Sequence, residues 1–364
     1  MFTHQDLDDA VDAGALDAGA ADRFRAHLES RRALPSVDEE HFRLLTGFND
    51  IFVSIAAAIL LFALAFIGSK IGPGAGSGDP SPTSGILVAA AAWGLALFFT
   101  AKRRMVLPSI LLLLAFVGGV FEAAMSAGVM IVGQDSVNNQ HQLLGVVSAI
   151  SAAVAAGAAW LHWQRFKVPI TVAAGAAAIV GLAVSLLIAS FGGESEASER
   201  LILGFVLFLG IGVFLLAMRW DAADPTRVTR RSDVAFWLHL LAAPMIVHPV
   251  FALLGLTNGT ASVGEGLIVV ALYVALGVTA LAIDRRALLV SALAYVLFAL
   301  SSLFRQFGAV EISVALTALV IGSALLLLSA FWHQARRAVV ERLPETLRRY
   351  LPATDRPLTL APAA

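Results

Sequence analysis

Between residues 49 and 332 the chain runs through one long apolar stretch after another, and the positive charge between stretches falls on every second turn. A membrane span needs about 20 apolar residues to cross a hydrocarbon core about 30 Å thick. Ten segments meet that length: 49–69, 84–101, 105–132, 141–161, 168–191, 200–218, 234–256, 263–283, 287–306 and 309–332. Backbone polar groups in lipid have no water to bond, so spanning segments are helices or strands of a closed barrel. The runs lack the apolar–polar alternation of barrel strands. The expected fold is therefore all-α, a polytopic transmembrane helical bundle of about ten spans.

Lysine and arginine set the expected orientation. Counting alternate loops and both ends, 22 of the 25 basic residues fall on one side, and only Lys70, Arg200 and Arg305 on the other. This predicts a multi-pass inner-membrane protein with both termini in the cytoplasm. The outer loops, 70–83, 133–140 and 257–262, are short and polar, too small for an external domain. No cleavable leader is expected, because the first apolar run follows a polar stretch too long for one.

Composition agrees. Hydrophobic residues make up 59% of the chain and charged residues 14%, whereas soluble domains carry nearer a quarter charged. Lipid must solvate the excess apolar surface, so the bilayer is the first expected partner. The net charge of −1 gives no field to attract nucleic acid. There is no cysteine, which removes disulfides, thiolate metal sites and cysteine nucleophiles. No zinc-protease, Walker, nucleophile-elbow or dinucleotide motif is present, so neither a metal nor a cofactor is expected.

Three regions are expected: a cytoplasmic helical hairpin and linker over 1–47, the bundle over 48–333, and a basic amphipathic tail over 334–364 with a disordered end. In the hairpin, Leu7, Val11, Leu16, Phe24 and Leu28 form an apolar stripe. Gly14 is placed to close a first helix and Asp17 to cap a second. In the tail, Pro344 separates two short helical pieces. The hairpin is either a solvated cap over the cytoplasmic helix ends or a docking or regulatory module, and the tail either a stop-transfer flank at anionic headgroups or a helix for a protein partner. The stretch DAGALDAGAADRFRAHLESRR at 12–32, with the polar linker and many spans behind it, resembles bacterial multi-pass inner-membrane proteins that carry an N-terminal domain of unknown function. That resemblance implies the location and brings no catalytic residues.

Spans 1–4 look like spans 7–10. Asp50 and Asp233 open spans 183 positions apart, Arg104 and Arg286 end turns 182 apart, and AAWLHWQR at 158–165 echoes SAFWHQAR at 329–336. Six spans between copies preserve direction, so the expected relation is a parallel repeat about the membrane normal.

Ionisable groups within spans are costly and mark candidate sites. Glu122, His248 and Arg305 share one depth in the outer leaflet, which makes them candidates for a proton or ligand site. Glu122 and Arg305 either face each other across the repeat axis, or Arg305 pairs locally with Glu311 while Glu122 reaches outer water. His248 is either a packed hydrogen-bonding residue or a proton acceptor. Pro244 and Pro249 interrupt the same span, and His239 is expected to make a polar contact near Trp237. Asn49, Asp50, Ser232 and Asp233 are expected to cap helices at cytoplasmic ends. His162 and His333, beside Trp163 and Trp332, are expected to anchor helix ends at the interface. The functions left open are a non-enzymatic scaffold or sensor, a small-solute or proton-coupled transporter, and a membrane-embedded enzyme acting on lipid-linked substrates.

Overall fold

The computed structural model describes residues 11, 13–14, 16–17, 19–24, 48–73, 81–192, 195–224, 229–255, 263–306, 311–348 and 351. The chain divides into two compact units, 1–43 with 355–364, and 44–354. In the first, Gly14 takes a left-handed φ of 69° and its N–H bonds the Val11 carbonyl at 3.0 Å. Asp17 then accepts the Ala20 N–H through its carboxylate at 3.2 Å. This is the expected helix stop followed by a helix start. Leu7 and Leu28, the 257–262 loop and the end of the tail lie outside the described residues.

The second unit consists of helices: α1 (Phe48–Lys70), α2 (Pro82–Phe99), α3 (Val106–Val132), the short α4 (Gln134–Asn139), α5 (His141–Phe166), α6 (Ile170–Phe191), α7 (Glu196–Ala222), α8 (Arg230–Leu253), α9 (Val263–Ile283), α10 (Ala287–Gln306), α11 (Ser313–Ala330), α12 (Trp332–Val340) and α13 (Glu345–Arg348). Among the described residues nine are long and apolar enough to cross a membrane: α1 to α3, α5 to α9, and α11. The remaining expected span, 287–306, is α10, where the apolar helix among the described residues, Leu289–Arg305, is shorter. Its 20 residues rise to about 30 Å at the helical pitch, enough to carry the chain across.

The outer surface is that of a lipid-solvated body, with Phe62 75% and Leu326 74% exposed. Inside, α3 packs on α1, α2 and α5, and α5 pairs with α6. Beyond them α8 packs on α6, α7 and α10, and α10 also meets α9 and α11. Small residues let backbones touch, as lipid-embedded helices require when no hydrophobic effect draws them together. A Cβ on Gly85 would lie 2.3 Å from the Gly119 carbonyl oxygen, and one on Gly145 2.4 Å from the Ala189 nitrogen. These contacts join α2 to α3 and α5 to α6.

Two boundaries differ from expectation. α7 runs past its apolar stretch at both ends, while α8 starts earlier than its stretch and stops short of 256; the early starts follow from caps, Ser195 Oγ accepting the Ser198 N–H and Thr229 Oγ1 the Arg231 N–H. The tenth span, expected to reach 332, stops at Ala330; Phe331 breaks the helix and α12 starts at Trp332. α12 then packs on α9 and α11, with Trp332, Arg336 and Val340 buried. The start of the tail is thus part of the bundle rather than a flank on headgroups. Pro344 does separate α12 from α13, as its missing N–H dictates.

Candidate functional site

Among the described residues a buried polar cluster sits where α7, α8 and the α9–α10 turn meet. The added length of α7 puts Asp221 beyond Trp220, and the cap at Thr229 starts α8 early enough to bring Ser232 and His239 alongside. The Asp221 carboxylate accepts two hydrogen bonds from the Arg285 guanidinium, from Nε at 3.2 Å and from Nη2. His239 Nε2 lies 3.1 Å from Asp221 Oδ2. Arg285 also donates to the Ser232 carbonyl at 3.3 Å and lies over the Phe236 ring, 6.0 Å from its centroid. Asp221 is 4%, Arg285 3% and His239 0% exposed. A buried ion pair is tolerable only when its hydrogen-bonding capacity is filled, and the flat guanidinium fork suits a carboxylate in two places at once. Next to it, Asp224 Oδ2 accepts from Thr229 N at 2.8 Å and Oγ1 at 2.7 Å, which closes the α7–α8 connection.

A second cluster continues from the same turn. Asp284 adopts a left-handed φ of 58°, a conformation Asp tolerates better than most residues. Its carboxylate accepts the Trp332 indole N–H at 2.8 Å, and Arg336 Nε lies 3.7 Å away. The Arg286 guanidinium covers the Trp332 ring at 4.8 Å. Trp332 is 3% exposed and latches α12 to the bundle; the expected anchor His333 beside it is exposed. Trp332→Phe keeps the ring and removes the donor to a carboxylate. The expected cost is about 1.5–3 kcal/mol, read as a lower melting temperature of the purified protein in detergent.

The residues singled out from sequence have separate partners. Glu122 on α3 accepts from Ser126 Oγ at 2.8 Å through Oε1, while Oε2 is buried without a hydrogen-bond partner and abuts Gly85 of α2. His248 on α8 is exposed and bonds the Tyr295 hydroxyl of α10 through Nδ1. Arg305 donates to Ser313 Oγ at 3.3 Å, and Glu311 is exposed. Arg305 therefore bonds neither Glu122 nor Glu311, and α3 packs on α1, α2, α5 and α6 rather than on α10. Among the four capping candidates, Asp50 and Asp233 lie in first turns where the helix dipole favours them. The capping position of α8 belongs to Thr229, not to Ser232 or Asp233, and Asn49 already lies inside α1.

His162 is also placed differently from expectation. It is fully buried, with Nδ1 3.2 Å from Thr171 Oγ1, among the rings of Trp93, Phe116 and Phe166. Sequence reasoning missed Asp221, Asp284 and Arg336 altogether and took Arg285 as a solvated loop charge. One signal was available: Asp221 and Asp284 are acids standing against apolar runs on the side otherwise rich in arginine.

Two polar-rimmed clefts lie at opposite ends of α7. One of about 370 Å³ is lined by Gln140, Gln142, Ser195 and Ser198; the other, of about 390 Å³, by Arg219, Trp220 and Arg231. Among the described residues no group of three or more histidine or acidic side chains is placed to hold a metal ion. No family model matches the chain, and no curated protein or solved structure is significantly similar to it.

Proposed function

We propose that the chain is a non-enzymatic scaffold or sensor of the bacterial inner membrane. Both termini are cytoplasmic, and the N-terminal hairpin is the segment offered to a protein partner. The observation that carries this reading is the use made of the buried charges. Asp221, His239 and Arg285, and then Asp284, Trp332 and Arg336, tie helix ends to one another, as a fixed platform needs. The basic bias supports the orientation, and the resemblance of 12–32 and its layout supports the bacterial location. The repeat stays part of the proposal, supported by matching contacts: α1 and α2 each pack on α3 as α8 and α9 pack on α10, and α3 meets α5 as α10 meets α11.

A second reading, a proton-coupled carrier, is favoured by one feature, the partnerless buried oxygen of Glu122. The two readings separate in a strain lacking the gene. Expression of a chain without residues 1–47 fails to restore the wild-type phenotype, while Glu122→Gln and His248→Ala restore it fully. Full rescue by the truncated chain ends the scaffold reading; loss of rescue by the two point variants at normal protein level establishes the carrier.

A further inference from the structure

The slot enclosed by α9, α10 and α11 combines one charge with a wall made mainly of leucine. It holds about 140 Å³ and is lined by Tyr273, Leu289, Leu293, Leu325 and Leu328, with Arg286 at one end. Val290 and Ser329 on its rim are exposed, so the slot opens outward, toward the bilayer. Arg286 occupies the turn just before α10, half-buried, its guanidinium held over Trp332. Leu289 and Leu293 follow along α10, and Leu293 lies about 10 Å deeper along the helix axis than Arg286.

A cation at the membrane surface above an apolar channel running into the hydrocarbon matches the long axis of a phospholipid. We propose that this slot binds an anionic phospholipid, with the headgroup phosphate on Arg286 and one acyl chain along Leu289, Leu293, Leu325 and Leu328. A helix from a second copy, about 10 Å wide with its side chains, does not fit so small a space. A free inorganic anion would find one cation, with the Tyr273 and Ser329 hydroxyls as the other polar groups of a lining made mainly of leucine. The site stands on the membrane-spanning architecture alone and does not depend on the scaffold reading.

The test is native mass spectrometry of the full-length protein purified in detergent and titrated with dioleoylphosphatidylglycerol or dioleoylphosphatidylcholine. The expected result is one retained phosphatidylglycerol, bound roughly fivefold tighter than phosphatidylcholine, as one well-placed cation supports. Arg286→Gln removes the preference between the two lipids. Leu293→Trp fills the slot and abolishes retention. If Leu293→Trp lowers the melting temperature, Leu325→Phe narrows the facing wall and is read in the same way. Equal retention of both lipids by the wild type overturns the proposal, as does retention unchanged in the slot-filling variant that keeps the wild-type melting temperature. Displacement of the lipid by millimolar inorganic phosphate assigns the site to a free anion, and a dimer in place of the lipid adduct assigns the face to a second copy; either also overturns it.

Discussion

Asp221→Ala destabilises the protein by about 3–5 kcal/mol, the cost of leaving a buried charge without its counter-ion. The substitution leaves the Arg285 guanidinium, 3% exposed, with the Ser232 carbonyl and hydroxyl as its hydrogen-bond partners. It also removes the carboxylate facing His239. Denaturant unfolding of the purified protein in detergent reads the loss. The pair Asp221→Leu with Arg285→Met recovers most of it, because two apolar side chains of similar size need no desolvation offset. The double-mutant cycle then yields a large coupling energy, as expected for groups in direct contact. A double variant as unstable as Asp221→Ala would mean that the site requires charge for a reason other than mutual satisfaction.

Gly145→Val has the second large effect. An added Cβ meets the Ala189 nitrogen at 2.4 Å, the Ala189 Cα at 2.8 Å and the Ser185 carbonyl oxygen at 2.9 Å. All three are backbone atoms, so no rotamer change relieves the overlap and α5 must move away from α6. Overpacking typically costs about 1–3 kcal/mol, and the expected loss here lies at or above the top of that range. Gly157→Val, on the same helix with open space around its Cβ position, is the control and keeps a wild-type melting temperature in detergent. Equal behaviour of the two variants would contradict the close α5–α6 contact.

How far the sequence carries the reader depends on what lipid dictates. The hydrocarbon core demands helices of a certain length, so span order and position are legible, and α9 and α10 begin and end where the apolar runs do. Legibility fails past the membrane edge. There caps decide helix ends: Thr229 starts α8 early enough to bring Ser232 into the zone of the buried network, and α7 continues past its apolar run to Asp221. The Asp221–Arg285 pair joins residues 64 positions apart, and counting loop arginines for orientation treats Arg285 as solvated. Glu122 was recognisable as a carboxyl within a span because its cost is local. Its neighbour was not, since a repeat offset matches positions in two helices without making them touch. Gly85 packs there instead. A place at a helix end suggests an anchor at His162, where an aromatic pocket prevails.

The proposed topology takes the chain across the membrane ten times with its arginine-rich turns on one face. Because it contains no cysteine, single introduced thiols report position without background. Asn138→Cys and Ala197→Cys, Ala223→Cys and Gln334→Cys all replace exposed residues near helix ends. With a membrane-impermeant maleimide on intact bacterial cells, positions 138 and 197 label at once, and 223 and 334 label only after the membrane is permeabilised. Labelling of 223 or 334 in intact cells, or protection of 138 and 197, would contradict the topology.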